Sequence, residues 1–585
     1  MASTPTAETP YVESKQVAVE VDPAVKAALP SISRKFTITF LAIGFILCNA
    51  LALYLLHFLN RDKSYSDVVS SSAFSATSAN QKPVSFSASG TLRVGAGTTA
   101  YLAAATLPTG NMLYVNTAPM GTSQAAFGTN IFSYYLTTEK QSVVTTMTVN
   151  SDKTVSIATA PALNVIANYQ VRGIATLSDK QAVFIEQSAA GITAVVTGSL
   201  TQSPAAVEYQ PSQRAVVATA SLDNKIGALS ASTFVIASFE PYVAATSYSQ
   251  FITGGSVAAD GTITLTGPLV FGEPNFYSPN AASKFTTFGN PTAIRAVPGL
   301  FLLPWWSSVA VGNKGLCLVL GSYSAAGVTQ VSETCNAEYM PSAFLEVAAL
   351  SSDTVAMAFN DAKNQNTLTI AIVQVATTTQ MVYFRGAYTM GAAAAGNYDF
   401  GMFNEWTPKP SLKAISATRL AVAFLNPSAS GKPYTQVFQI TSSYLLVPVT
   451  PLMPLAVGDF TLAGTSAASS AVTLDLVQTS AESYVVVVAG VLGNVAPKQL
   501  ALVEFFGDAV GIASGSDGLV LNGVASVSGT LTVGKAYYAT TAGSIVAVTV
   551  TDPKAAYFLA GDSTLVTANA RLGVAVSSSS IYVAP

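Results

Sequence analysis

Histidine is almost missing from this 585-residue chain, which carries one, His57. Beyond it no imidazole is available, so Ser-His-Asp and Cys-His catalysis and histidine-ligated metals are excluded from the rest of the sequence. Charge is scarce too. Lys, Arg, Asp and Glu make up 10% of the residues, against roughly 25% in an average soluble domain. The basic residues are scattered and the formal net charge is -3. The cationic footprint that displaces counterions from phosphates is therefore absent, and nucleic acid is not an expected partner. No Asn-x-Ser/Thr sequon free of proline occurs, since those at Asn290 and Asn426 are blocked by Pro291 and Pro427. The chain need not carry N-glycans.

What fills the space is Ala, Ser, Thr, Val and Gly, with 50% of residues hydrophobic. Val and Thr are stiff at the first side-chain torsion and suit a pleated surface, and helix-forming charged faces are nearly absent. The expected class is all-β. Cysteine is sparse, with 3 in the chain. Cys48 lies in an apolar run, which leaves Cys317 and Cys335 as the available pair. They flank "LVLGSYSAAGVTQVSET", which reads as two strands around a turn. A cross-hairpin disulfide is geometrically allowed and fits an oxidising compartment; two free thiols are the alternative.

One apolar run is long. Phe36 to Leu59, "FTITFLAIGFILCNALALYLLHFL", has no Lys, Arg, Asp or Glu. As a helix it would be ~36 Å long at ~1.5 Å per residue, enough to cross a hydrocarbon core of ~30 Å. A cleavable signal peptide is the rival, with "ALA" at Ala50 to Ala52 as its cleavage site, but the apolar residues run on to Leu59. Lys15, Lys26, Arg34 and Lys35 precede the segment, against Arg61 and Lys63 after it. That bias favours a signal anchor with a cytosolic N-terminus, a type II topology. His57 then falls at the headgroup level. Residues 1–35 read as a disordered cytosolic tail, 36–59 as the transmembrane anchor and 60–90 as a Ser-rich juxtamembrane linker.

The region beyond residue 90 repeats itself. "ALSSDTVAMAFNDAKNQN" from Ala349 has relatives in "ATLSDKQAVFIEQ" at Ala175, "GALSASTFVIASFE" at Gly227 and "KAISATRLAVAFLN" at Lys413. Looser copies start at Tyr135, Val297 and Val477. Anchors at Leu136, Leu177, Leu229, Leu300, Leu350, Ile415 and Val477 stand about 40 to 70 residues apart, a spacing that suits propeller blades of four strands. Asp260-Gly261 supplies the positive φ of a hairpin turn inside one unit. Stacking such units radially buries both faces of each. The spacing predicts a β-propeller of about seven blades over 91–510, with a β-helix or a row of sandwiches as alternatives.

These segments resemble the "ALS-x-x-x-V-V-V-A-Y-x-D" propeller repeat of surface proteins in algae, other protists and some phage or bacterial proteins. The match is best at Leu350 to Asp361, where Phe359 takes the aromatic place, and the other copies lack the terminal Asp. Residues 511–585 resemble a small C-terminal β module of tail-fibre-like and protist surface proteins, with Gly534, Tyr537, Tyr538, Gly573, Ala575 and Ser577 carrying the likeness. Leu572 and Ile581 depart from its pattern conservatively. The resemblance implies a propeller fold and an exposed structural or attachment module.

The candidate sites are few. Asp361, Asn364 and Asn366 offer oxygen ligands of the kind calcium prefers, but Lys363 stands among them, and a strand-connecting turn is the plainer reading. No other cofactor is expected. Carboxylate catalysis needs two converging acids; Glu240, Glu333, Glu338, Asp361, Asp399 and Glu405 are available, and Arg295, Arg385 and Arg419 are isolated. Trp305, Trp306 and Trp406 could stack on sugar rings. Adjacent Trp305 and Trp306 point to opposite faces of a strand, which would let one reach the surface, with core or blade packing as the plainer alternative. The favoured function is a non-catalytic surface protein for adhesion, attachment or assembly, partnered by other surface proteins or polysaccharide. A membrane-anchored, carbohydrate-active propeller enzyme is the alternative.

Overall fold

A computed structural model describes residues 81–583, interrupted at several connections, chiefly 103–111, 122–127, 272–285, 308–313, 391–409, 456–469 and 548–555. The expected anchor over residues 36–59 lies outside the described residues. Among those described, no helix is long and apolar enough to cross a membrane. The fold below is that of the compact unit Ser72–Pro585.

The described residues are all-β, and every strand pair among them is antiparallel. Nine sheets are present among the described residues. Seven follow one another along the sequence. Their first strands are Met112–Pro119, Tyr169–Ser178, Asp223–Ala228, the split pair Thr286–Phe288 and Thr292–Ala293, Glu346–Ala349, Ser411–Ser416 and Ser470–Ser480. Each then meanders outward in sequence order, as in Glu346–Ala349, Thr354–Asp361, Thr367–Ala376 and Met381–Thr389.

Period-two alternation explains how these sheets pack. In the second sheet, Val183 and Ile185 face the third sheet, packing with Ile226, Phe234 and Ile236. Phe184 between them faces the first sheet, packing with Ile131 and Val144. A strand that is apolar on both faces must be covered on both. Similar layers join the third sheet to the fourth, the fourth to the fifth, the fifth to the sixth and the sixth to the seventh. The last layer joins the seventh to the first, where Val485, Val487, Leu500 and Leu502 meet Met112, Phe132, Tyr134 and Val143. The succession closes on itself.

The closing sheet is built from distant parts of the chain. Ser470–Ser480, Ser483–Leu492 and Lys498–Phe505 supply three strands, and Thr98–Leu102 adds the fourth, with Thr98 opposite Phe505 and Leu102 opposite Ala501. Leu565–Thr567 and Ala556–Phe558 extend the same sheet. Pro83–Phe86, inside the stretch read as linker, pairs with Leu92–Val94 and with Gly511–Ser514. The remaining sheet, Gly523–Ser526, Ser580–Val583, Arg571–Ser577, Ala536–Ala539 and Ile545–Ala547, shares one core with Ala96 and Ile512.

Asp260-Gly261 does turn the chain between two strands of the third sheet, but in a loop longer than two residues, since Val257 pairs with Ile263. Gly261 takes a φ of 87° and Thr262 N–H donates to Asp260 Oδ1 at 2.9 Å. The close approach of neighbouring sheets also fixes Gly227, where a Cβ would lie 1.7 Å from the Pro291 carbonyl oxygen.

Candidate functional site

The first strands line the inner side of the closed succession, and their polar side chains tie one sheet to the next. Asn116 Nδ2 donates to the Val171 carbonyl at 3.0 Å, and Thr176 Oγ1 donates to that of Pro119 at 2.7 Å. Both bonds join the first sheet to the second. Gln478 Nε2 donates to the Ile415 carbonyl, joining the seventh to the sixth.

Asp475, on the first strand of the seventh sheet, spans three sheets. Its Oδ2 accepts from Thr117 N–H at 2.7 Å and Thr117 Oγ1 at 2.5 Å, in the first sheet. Its Oδ1 accepts from Ser411 Oγ at 3.1 Å, in the sixth, and from Leu476 N–H at 2.9 Å. Lys413 Nζ stands 3.9 Å away. One carboxylate therefore clamps the seam where the succession closes. Asp475→Ala leaves these donors without their acceptor and should cost about 3 kcal/mol, since hydrogen bonds to a charged group contribute about 1.5–3 kcal/mol and the orphaned donors add to the loss. In urea the midpoint should fall with the slope unchanged.

A second polar site is buried between strands of the second sheet. Glu186 is fully buried, and its Oε2 accepts from Arg214 Nε at 3.0 Å and Nη2 at 2.9 Å. The guanidinium lies 4.4 Å over the Tyr169 ring. Glu186 Oε1 is buried with no hydrogen-bond partner. Burial pushes the Glu186 carboxyl up to about 7 from 4.5, with Arg214 pulling the other way. The folded protein thus holds a proton that the unfolded chain releases at lower pH. The resulting stability is full below about pH 4.5 and is lost as pH rises through about 7, a change of no more than about 3 kcal/mol. Glu186→Gln should flatten the fall in melting temperature across that interval, which a pH series of thermal melts measures.

The residues singled out from sequence fall in separate places. Trp305 and Trp306 are both buried, at 1% and 4% exposure. They do point to opposite faces, but each face is covered by a neighbouring sheet, so neither reaches the surface. Trp305 Nε1 donates to Glu333 Oε1 at 3.0 Å, and its ring meets Phe271 edge-on. Trp406, Asp399, Glu405 and Asn366 lie outside the described residues, as does the side chain of Glu240.

Asp361 ends the second strand of the fifth sheet and is fully buried. Its Oδ1 accepts from Met340 N–H and Lys363 N–H, both at 3.1 Å, and its Oδ2 from Asn364 Nδ2 at 2.7 Å. Asn364 turns its amide N–H toward the carboxylate, so the pair forms a capped turn over Ala362–Asn364. Glu333 sits on the outermost strand of the fourth sheet and Glu338 in the exposed turn after it. Arg295 is exposed in a turn, Arg385 bonds Gln374, and Arg419 bonds Gln439. Cys317 and Cys335 face each other across neighbouring strands and are joined by a disulfide, with Cα atoms 4.0 Å apart.

Sequence reasoning passed over Asp475 and Glu186. Glu186 carried a usable signal, a lone acid in the otherwise apolar "AVFIEQ". Asp475 in "VTLDLVQ" carried the same one.

No family model matches the chain, and no curated protein does. Among solved structures it is similar to the BP39L lectin from Burkholderia pseudomallei, at 13% identity over 66% of this chain and 97% of the lectin, with a TM-score of 0.35. It is also similar to the WD40 domain of SCAP from fission yeast, at 8% identity over 67% of this chain and 98% of that domain, with a TM-score of 0.33. Likenesses of this size carry no argument about what the chain does.

Proposed function

We propose that this chain is a single-pass type II membrane protein that displays a seven-bladed β-propeller and a C-terminal β module for adhesion, attachment or assembly of a surface structure. The closed succession of seven meandering sheets supports the propeller reading, with Thr98–Leu102 as the outer strand of the last blade. Residues 36–59 would hold it in the membrane, and other surface proteins or polysaccharide would be its partners.

The observation that carries the binding reading is the outer face of the C-terminal module. Val524, Tyr582 and Val574 stand side by side on three adjacent strands. Val524 is 61% exposed and Tyr582 45%, while the alternate row, Ala525, Ile581 and Ala575, is buried. An apolar row facing solvent on one side of an otherwise packed sheet suits contact with another surface. Against catalysis, Glu333 and Asp361 lie on different sheets, each held by its own neighbours.

Residues 64–585 applied to a glycan array and to cell-surface protein fractions should retain a defined partner. The double variant Val524→Asp with Tyr582→Ser should lose it while keeping its strand circular dichroism. Hydrolysis of a glycan in place of retention would favour the enzyme reading. Protease treatment of sealed vesicles tests the topology: residues 1–35 should be digested from the cytosolic side and the outer region spared.

A further inference from the structure

The geometry points to a redox-gated metal site at the edge of the fourth sheet, in which reduction of Cys317–Cys335 frees two thiolates that bind a zinc-like cation together with Glu333. Cys317, Glu333 and Cys335 each bring one ligand atom, and these atoms all lie within 4.8 Å of one another. Around a tetrahedral zinc, two thiolate sulfurs and a carboxylate oxygen stand roughly 3.5–3.8 Å apart, from bonds of ~2.3 Å and ~2.0 Å. The three groups thus need only small side-chain rotations once the sulfurs are no longer bonded.

Strand periodicity puts them there. Cys335 and Glu333 are two apart on Gly327–Asn336 and so share a face, and Cys317 is the cross-strand partner of Cys335. Glu333 is exposed and Cys335 is not buried, which leaves the fourth coordination position open to water. The carboxylate is already oriented: Trp305 Nε1 holds Glu333 Oε1 and leaves Oε2 free to ligate, the outer support that metal-binding carboxylates commonly have. Two thiolates select a soft or borderline cation over calcium.

The gate needs a dithiol as reductant. One thiolate of the donor attacks Cys335 Sγ, which is not buried, the S–S bond breaks, and Cys317 takes up a proton as it leaves. The donor's second thiolate resolves the mixed disulfide and departs as a cyclic disulfide. Two electrons have passed to the protein, leaving two thiols. Zinc then displaces their two protons.

The full chain bearing Cys48→Ser, so that only these two cysteines remain, is reduced with a phosphine that does not compete for zinc and is titrated with zinc against a chromophoric chelator. One equivalent should bind to the reduced chain and none to the oxidised chain, with a change in Trp305 fluorescence. Cobalt should give a thiolate-to-metal charge-transfer band. Glu333→Gln keeps an acceptor for Trp305 and should weaken zinc at least tenfold without altering the circular dichroism. Equal zinc binding by reduced and oxidised chains, or by Glu333→Gln and its parent, would overturn the assignment. If reduction alone unfolds the chain, zinc added beforehand should preserve the fold, and unfolding in its presence counts against the site as well.

Discussion

A chain beginning at residue 104 should melt on the order of 10 °C below one beginning at residue 81, and should aggregate as it does so. The deletion removes Thr98–Leu102, whose five residues pair with Ala501 to Phe505. At about 1 kcal/mol per backbone hydrogen bond the lost pairing alone is worth roughly 5 kcal/mol, and each kcal/mol moves the midpoint of a large domain by about 2–4 °C. The exposed strand Lys498–Phe505 would then present unpaired N–H and C=O groups along an edge, a template for other chains. Pro83–Phe86 goes too, so Gly511–Ser514 loses a neighbour in the sheet that leads into the C-terminal module. A synthetic peptide covering residues 81–103, added in excess, should recover part of the loss. Scanning calorimetry of the two chains measures the difference. An unchanged midpoint would mean that the closing strand contributes no stability.

How much of this was legible in advance depends on how local each feature is. Leu177 and Ile415 are next to last on a first strand, Leu229 and Leu350 lie just beyond one, and Val477 lies within the last residues of Ser470–Ser480, so all five precede the turn into the second. There the sequence pattern is local: an apolar residue, a Ser-containing turn, then alternation. Leu136 is out of frame, since it ends the second strand of its sheet and precedes the turn into the third. The sequence "TTEK" after it imitates the others because any short polar stretch between apolar runs does. Leu300 begins a second strand, after a longer entry through Val297 to Gly299. The closing strand could not be read at all. "TTAYL" at Thr98 is unremarkable in composition, and its partner lies about 400 residues away, so no local periodicity marks the pair. Trp305 and Trp306 illustrate the opposite failure. Their opposed directions were legible, but their burial depends on neighbours from two other sheets.

Phe359→Ala should cost about 3–5 kcal/mol, the range for truncating a fully buried aromatic residue. Phe359 takes the aromatic place in the clearest copy of the repeat, and it is completely buried between the fourth and fifth sheets. Its ring meets Tyr339 edge-on at 5.7 Å, and Leu345, Val355 and Met357 belong to the same layer. Ala would leave a cavity that strands held on both faces cannot collapse to fill. Phe359→Leu keeps most of the volume and should cost under about 1.5 kcal/mol. Urea unfolding of the two variants separates shape from mere hydrophobicity: a large loss for Ala and a small one for Leu makes the aromatic place in the repeat a packing position. Equal, small losses would mean that the site relaxes freely, and the recurrence of that strand would then need an explanation other than the cover each sheet gives the next.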